Sequence, residues 1–142
     1  MYQDEIEKVE LPAIAQLQQL GWSYVPGAAL SPVLPIDGAP STGERGYYRD
    51  VVLVKQLEAA LRRLNPWISE GKGRKGQTVK IIDFDQPDNN DFLCTNQFKI
   101  EGLNQNIIPD IVCFVNGLPL AVIECKSPYI ADALAQGIDQ LR

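Results

Sequence analysis

Two carboxylates and a lysine stand at the ends of an apolar segment in the last third of the chain. Asp110 precedes the segment Ile111–Ile123, Asn116-Gly117 interrupts it, and Glu124 and Lys126 follow it. Asn-Gly between hydrophobic runs is the strongest short-range hairpin signal, because both residues tolerate positive φ. The two runs are apolar on both faces, which predicts central, buried strands. Charges at the ends of such strands are costly unless they are paired. A divalent cation held by the two carboxylates, with the lysine beside it, would satisfy them.

The register of this hairpin decides whether the two carboxylates can meet. Side chains alternate along a strand, so Glu124 and Lys126 share a face. A strict two-residue turn would place Asp110 opposite Ile123 and turn Glu124 to the other side of the sheet. Pro119 favours a wider turn, since it cannot donate to a ladder close to the loop. We therefore expect a three- or five-residue turn, or a β-bulge, that pairs Asp110 with Glu124.

The surrounding sequence resembles a known family. Asp110 followed by Glu124-x-Lys126 is similar to the PD-(D/E)xK nuclease motif, and longer words around it are far more specific. Together they resemble the N-terminal nuclease domain of the restriction subunit (HsdR) of type I restriction-modification enzymes, over nearly the whole chain and most strongly from about Lys80 onward. The words that carry the resemblance are Asp83-Phe84, Asn90-Asp91-Phe92, Asn96-Gln97-Phe98, Pro109-Asp110-Ile111-Val112 and Val115-Asn116-Gly117-Leu118-Pro119-Leu120.

The resemblance implies roles for the residues of the hairpin ends. Asp110 and Glu124 would bind Mg²⁺, helped by the backbone carbonyl of Cys125, and oxygen ligands with several retained waters are what magnesium prefers. Lys126 would position or activate the attacking water and stabilise developing charge. The alternative for these residues is structural, with Asp110 capping a strand and Glu124 and Lys126 forming a surface ion pair.

Glu10 is a further candidate metal ligand. It lies in the middle of the apolar stripe of a helix predicted over Asp4–Leu20, so its carboxylate should face the interior. The resemblance implies that the acid of this helix points at the metal cleft, as an outer ligand or through a bound water. Pro12 should kink or restart this helix near Leu11. In the alternative, that kink turns Glu10 to solvent, or Glu10 pairs with a cation such as Lys126 for stability alone.

The remaining candidates lie outside the hairpin. The family carries Gln-x-x-x-Tyr on the following helix, whose Gln is matched best by Gln140 and less well by Gln136; exposed helix glutamines are the alternative. Lys72, Arg74 and Lys75 form the one basic cluster of an acidic chain. This cluster is either a solvated loop or a contact with the DNA backbone. Its Gly-x-x-x-x-Gly spacing is that of a P-loop, but the essential Lys is missing, which excludes nucleotide binding.

Composition restricts the function further. With 142 residues, 45% of them hydrophobic, the chain can form one domain with a real core. A net charge of −5 argues against a tight stand-alone DNA binder, because that affinity comes from neutralising phosphates. The absence of histidine excludes a His-based triad and disfavours zinc. Cys94, Cys113 and Cys125 are interpreted as buried apolar thiols. Without a signal peptide or a transmembrane run, we expect a cytoplasmic protein with no membrane contact.

Periodicity and turn signals predict alternating helices and strands. The helices are expected over Asp4–Leu20, Tyr48–Leu64 and the segment after Ser127-Pro128. The strands are expected at Trp22–Val25, Val79–Phe84, Phe92–Ile100 and along the central hairpin.

We therefore predict an α/β domain of the restriction-endonuclease-like class, with a central mixed β-sheet flanked by helices. Residues 1–142 would form a single PD-(D/E)xK nuclease domain, an N-terminal fragment of a subunit whose motor domains are absent. It would cleave double-stranded DNA with Mg²⁺, without sequence specificity of its own, alongside methylation (M) and specificity (S) subunits. ATP would serve only the full-length subunit. The alternatives are a repair or recombination nuclease of the same superfamily, resolvase-like, and a non-catalytic docking module that keeps the fold.

Overall fold

The computed structural model describes residues 2–32, 43–71, 76–127 and 133–140. Within these ranges helices flank a four-stranded mixed sheet, and a two-stranded ribbon stands beside it, which confirms the predicted α/β class. No helix in the described ranges is long and apolar enough to cross a membrane. The helices are α1 (Tyr2–Glu5), α2 (Leu11–Gln19), α3 (Val54–Leu64), α4 (Pro66–Ser69) and α5 (Ala133–Gln140). The strands are β1 (Ser23–Tyr24), β2 (Phe92–Asn96), β3 (Ile100–Glu101), β4 (Asn106–Ile107), β5 (Ile111–Val115) and β6 (Leu118–Ile123).

The N-terminal helix changes its winding immediately before Pro12. Between α1 and α2 runs a π-helical segment, Ile6–Glu10, in which the Leu11 N–H bonds the Ile6 carbonyl. Proline has no N–H, and in a regular helix its ring collides with the carbonyl four residues back, so the wider winding accommodates it. The predicted restart near Leu11 is confirmed. Glu10 is the last residue of the π-helical segment and is only 2% exposed. The alternative in which Glu10 turns to solvent is therefore wrong.

The main sheet has the order β1-β2-β5-β6, and β1 runs parallel to β2 while the other pairs are antiparallel. A separate hydrophobic cluster packs on each side of it. The first cluster comprises Leu30, Leu53, Leu93, Phe98, Val112 and Phe114. The second comprises Ile14, Cys94, Ile111, Cys113 and Cys125, with Val9, Ala13 and Leu17 of the N-terminal helix packed against it. All three cysteines are free and buried, as predicted.

The β5–β6 hairpin combines a tight turn with a bulge. Asn116 and Gly117 form a two-residue turn with φ values of +52° and +79°. Farther along β6, Leu120 is left without a partner where the register shifts by one, so that Ile111 stands opposite Ile123. The expected wider turn is therefore wrong, and the bulge alternative is confirmed.

The two strands of the hairpin differ in burial. Residues 111–114 of β5 are at most 4% exposed, as expected of a central strand. In the described part of the chain β6 is the outer strand, with Leu120 56% and Val122 46% exposed, so the prediction that both of its faces are buried is wrong. An outer strand can also hold Pro119, which donates no ladder hydrogen bond.

One predicted strand and the start of one predicted helix are replaced by irregular backbone. Val79–Phe84 is not a strand, because its main-chain groups bond side-chain amides instead. The Asn65 amide exchanges two hydrogen bonds with the Lys80 backbone, at 2.7 and 2.8 Å, and Asn116 Nδ2 donates to the Ile81 carbonyl at 2.8 Å. The second helix starts at Val54 rather than at Tyr48.

Candidate metal and catalytic site

The bulge places Asp110 and Glu124 on the same face of the sheet. Because Ile111 pairs with Ile123, the next pair outward is Asp110 and Glu124. The backbone N–H of Cys125 donates to Asp110 Oδ2 at 2.7 Å. This hydrogen bond joins the residue before β5 to the segment after β6.

Lys126 lies against Glu124 in a largely buried ion pair. Lys126 Nζ is 3.3 Å from Glu124 Oε1, and the two side chains are 17% and 15% exposed. Burial, followed by the negative charge of Asp110, raises the pKa of Glu124, while Lys126 and a backbone hydrogen bond from Asp110 oppose the rise. The pair is therefore not an exposed surface ion pair, and the lysine only partly offsets the repulsion between the carboxylates.

Glu10 faces the same end of the sheet from the π-helical segment. Asn96 Nδ2 donates to Glu10 Oε1 at 2.7 Å, and Gln97 Nε2 donates to Oε2 at 3.0 Å. The Gln97 backbone N–H donates to the carbonyl of Asp110 at 3.0 Å. The predicted inward orientation of Glu10 is confirmed, and the hydrogen bonds shown at its two oxygens come from amides. Metal ligation by Glu10 stays a prediction.

The pKa of the buried Cys125 thiol reflects the negative charge of the surrounding acids. Cys125 is 5% exposed, and its pKa is raised to about 11, first by burial and then by the charges of Asp110, Glu10, Glu124 and Glu5. The thiol is protonated at neutral pH, and a metal requires the thiolate. Only the backbone carbonyl of Cys125 could therefore bind a cation.

The donor set suits a cation that keeps part of its water. Within residues 2–32, 43–71, 76–127 and 133–140, no group of three His, Cys, Asp or Glu side chains is arranged to hold a metal alone. Asp110, Glu124 and the Cys125 carbonyl would offer oxygen atoms only. Magnesium accepts such a partial set, because it is commonly bound through one or two carboxylates and retained waters.

Several predicted site residues lie outside the described part of the chain. Lys72, Arg74 and Lys75 fall within residues 72–75. Gln140 is the last residue of α5, but its side chain, like that of Gln136, is not described. Their contacts with DNA or with the site stay predictions.

Three residues that contact this site were not predicted from the sequence to be site residues. Asn96 is the last residue of β2, Gln97 follows it, and both donate hydrogen bonds to Glu10. Two consecutive amides at the end of an apolar strand were the sequence feature that could have indicated this contact. Glu5 accepts the Ser127 backbone N–H at 2.8 Å, 122 residues away in the chain. Glu5 lies among acidic residues at the start of a helix, where acids commonly interact with the helix dipole. The sequence therefore did not predict this contact.

Comparison with known proteins identifies the family. A family described as "Type I restriction enzyme R protein N terminus" matches residues 2–142. The type I restriction enzyme HindI endonuclease subunit of Haemophilus influenzae is 30% identical over 93% of this chain and 16% of its own length. The protein named "Putative type I restriction enzyme MjaIXP endonuclease subunit" of Methanocaldococcus jannaschii is 32% identical over 84% of this chain and 15% of its own length. The chain thus spans about one sixth of these curated relatives, and no solved structure matches it. The chain belongs to the family of N-terminal domains of type I restriction enzyme R subunits.

Proposed function

We propose that this domain is the Mg²⁺-dependent endonuclease of a type I restriction R subunit and hydrolyses phosphodiester bonds of double-stranded DNA. The observation that carries the proposal is the register shift at Leu120. It places Asp110 across from Glu124, with Lys126 Nζ 3.3 Å from the Glu124 carboxylate. Two carboxylates and a lysine at one end of the β5–β6 hairpin form the arrangement that the PD-(D/E)xK resemblance implies.

The two carboxylates would share the cation. Bound Mg²⁺ would stabilise charge on the scissile phosphate and lower the pKa of a bound water. Asp110 is held in place because its Oδ2 accepts the Cys125 N–H. Glu124 repels Asp110, and this repulsion favours occupation by a cation. The Cys125 carbonyl would complete the protein ligands, and Glu10 would take part from the outer shell.

Lys126 would act on the attacking water and on the phosphate. An ammonium has three donors on a flexible stem, so it can hold Glu124 and an incoming oxygen at the same time. Its charge would stabilise the negative charge that develops on the phosphate. Gln140 would contribute from the end of α5.

The rest of the enzyme would deliver the DNA. With a net charge of −5, the domain has little affinity of its own for phosphates, and Lys72, Arg74 and Lys75 would supply the few contacts it makes. We place it as a single nuclease domain in a cytoplasmic complex with M and S subunits. Sequence recognition would lie in that complex, and ATP would be used by motor domains of the full-length R subunit.

The proposal is tested in the full-length R subunit assembled with its M and S partners. Asp110→Asn, Glu124→Gln and Lys126→Met keep side-chain size and should each abolish DNA cleavage while ATP hydrolysis continues. The matched controls are exposed residues of the same types, Asp88→Asn and Glu58→Gln, which should cleave like the wild type.

Either of two results would overturn the proposal. Near-wild-type cleavage by Asp110→Asn or Glu124→Gln would remove that carboxylate from the chemistry. Absence of Mg²⁺ binding by the wild-type domain, in a calorimetric titration without nucleotide, would favour the docking-module alternative. A continuous R subunit gene with motor domains separates the proposal from the resolvase-like alternative.

A further inference from the structure

We propose that Gln97 is a positioning residue that couples Glu10 to Asp110, and this inference rests on the proposed function. Its side-chain amide donates to Glu10 Oε2 at 3.0 Å, and its backbone N–H donates to the Asp110 carbonyl at 3.0 Å. One residue thus contacts the carboxylate of the N-terminal helix and the residue that opens β5. Displacing Gln97 would move the two acids relative to each other.

The backbone of Gln97 is built for this double contact. Its φ is +51°, in the left-handed region that non-glycine residues rarely adopt. Adjacent side chains of a strand point to opposite faces, so Asn96 and Gln97 could not reach one carboxylate if β2 continued. The left-handed turn at Gln97 ends the strand and brings both amides onto Glu10. Local strain that places two polar groups on a buried acid is typical of functional sites.

A third residue fixes the orientation of the neighbouring amide. The Tyr24 hydroxyl donates to Asn96 Oδ1 at 2.8 Å, and Asn96 Nδ2 donates to Glu10 Oε1 at 2.7 Å. Because the hydroxyl occupies the amide oxygen, the amide NH₂ group must face the carboxylate. Glu10 Oε1 therefore receives its amide N–H from a side chain whose orientation is itself fixed.

This arrangement decides what Glu10 can do. Glu10 is 2% exposed, and two charge-assisted hydrogen bonds compensate the burial of its negative charge. Each of its oxygens already has one donor, which leaves a second lone pair for an outer-shell hydrogen bond. Gln97 and Asn96 thus hold Glu10 as a fixed outer-shell acceptor beside the Asp110–Glu124 pair. Groups of this kind orient ligands and tune the affinity for the cation.

The test is a double-mutant cycle between Gln97 and Glu10. Gln97→Asn keeps the amide and tolerates the left-handed backbone, but it is one methylene shorter and cannot reach Glu10 Oε2. Mg²⁺ affinity is measured by calorimetric titration without nucleotide, in the 142-residue chain and in the full-length R subunit. Gln97→Asn should weaken binding about tenfold and Glu10→Gln by about ten- to hundredfold. In the Glu10→Gln background, Gln97→Asn should change the affinity less than about twofold, because the coupled charge is gone. The exposed Gln105→Asn is the matched control and should bind Mg²⁺ like the wild type.

Tyr24→Phe provides a second variant if Gln97→Asn does not fold. It removes only the hydroxyl that orients Asn96, and it should weaken Mg²⁺ binding a few-fold in the wild-type background but not in Glu10→Gln. Equal losses in both backgrounds, or unchanged affinity in Gln97→Asn, would overturn the role of Gln97. If Asp110→Asn and Glu124→Gln also bind Mg²⁺ normally, the proposed function itself fails. If those two variants lose binding and Gln97→Asn does not, only the coupling is wrong.

Discussion

Gly117 joins the hairpin of the candidate site to helix α3, and replacing it with alanine is a sharp test of that packing. Its φ is +79°, and a Cβ at this position would lie 2.4 Å from the Leu53 carbonyl oxygen and 2.9 Å from the Leu57 nitrogen. The Gly117 carbonyl also accepts the Leu53 N–H at 2.9 Å. Because the colliding atoms are backbone, α3 must move away from the turn to relieve the overlap.

The expected cost can be worked out from these contacts. A non-glycine residue in the left-handed region costs about 1–2 kcal/mol. Loss of the Leu53–Gly117 hydrogen bond as α3 shifts adds about 0.5–1.5 kcal/mol. Gly117→Ala should therefore lower the free energy of unfolding by about 1.5–3.5 kcal/mol. Gly21→Ala is the matched control, since Gly21 has φ +95° but no heavy atom within 4 Å of its added Cβ. The control should lose only the first contribution, about 1–2 kcal/mol.

Urea unfolding followed by the fluorescence of Trp22 and Trp67 measures both variants. The candidate site lies at the other end of β5, about 16 Å away at about 3.3 Å per residue. The Mg²⁺ affinity of the folded fraction of Gly117→Ala should consequently match the wild type. If Gly117→Ala costs no more than Gly21→Ala, α3 does not constrain the turn and cannot be the reason that the bulge lies at Leu120.

Four further predictions concern the candidate site. Deleting Leu120 removes the unpaired residue without moving Glu124 from its place opposite Asp110, so Mg²⁺ binding should persist in calorimetry. The deletion should lower stability by about 1 kcal/mol, since Leu120 is 56% exposed. Inserting an alanine after Ala121 should instead abolish Mg²⁺ binding, because it moves Glu124 to the other face; unchanged binding would contradict the register argument. Burial and Asp110 raise the pKa of Glu124. Without metal, the folded state therefore takes up this proton at higher pH than the unfolded state, and stability should rise as pH falls through the folded pKa. As pH falls, the urea midpoint of the wild type in EDTA should rise relative to that of Glu124→Gln, and parallel curves would refute this. Finally, the buried Cys125 thiol, with a pKa of about 11, should react with iodoacetamide at neutral pH only after unfolding, as mass spectrometry of the labelled peptide can show.

Counting residues along the hairpin predicted that the hairpin must contain an extra, unpaired residue, but it did not predict where that residue lies. The count required one extra residue if Asp110 and Glu124 were to meet. From the position of Pro119, the extra residue was expected in the turn. The structure places it at Leu120, since α3 approaches Gly117 too closely to permit a wider turn. That approach is a tertiary contact and leaves no trace in local sequence.

Buried amides account for much of what the sequence did not predict. Apolar alternation suggested a strand over Val79–Phe84. The fold instead uses Asn116, 0% exposed, to bind the Ile81 carbonyl, Asn90 Oδ1 and the Asp91 N–H at 2.8–2.9 Å. Periodicity reports where apolar side chains point, but it does not show which main-chain groups a buried amide will satisfy. For the same reason, the sequence did not predict that Asn96 and Gln97 bind Glu10.

The acids of the proposed cation site also stabilise the fold. Glu5 accepts the Ser127 N–H, Asp110 accepts the Cys125 N–H, and Glu124 accepts a backbone hydrogen bond from Asp110. These contacts join the N-terminal helix, the start of β5 and the segment after β6, and they offset the mutual repulsion of the acids. The carboxylates are therefore positioned before any cation binds, so Mg²⁺ should add stability to a formed domain rather than drive its folding. Alanine at these positions would remove a structural hydrogen-bond acceptor together with a charge. The amide replacements keep an acceptor oxygen and separate the two roles.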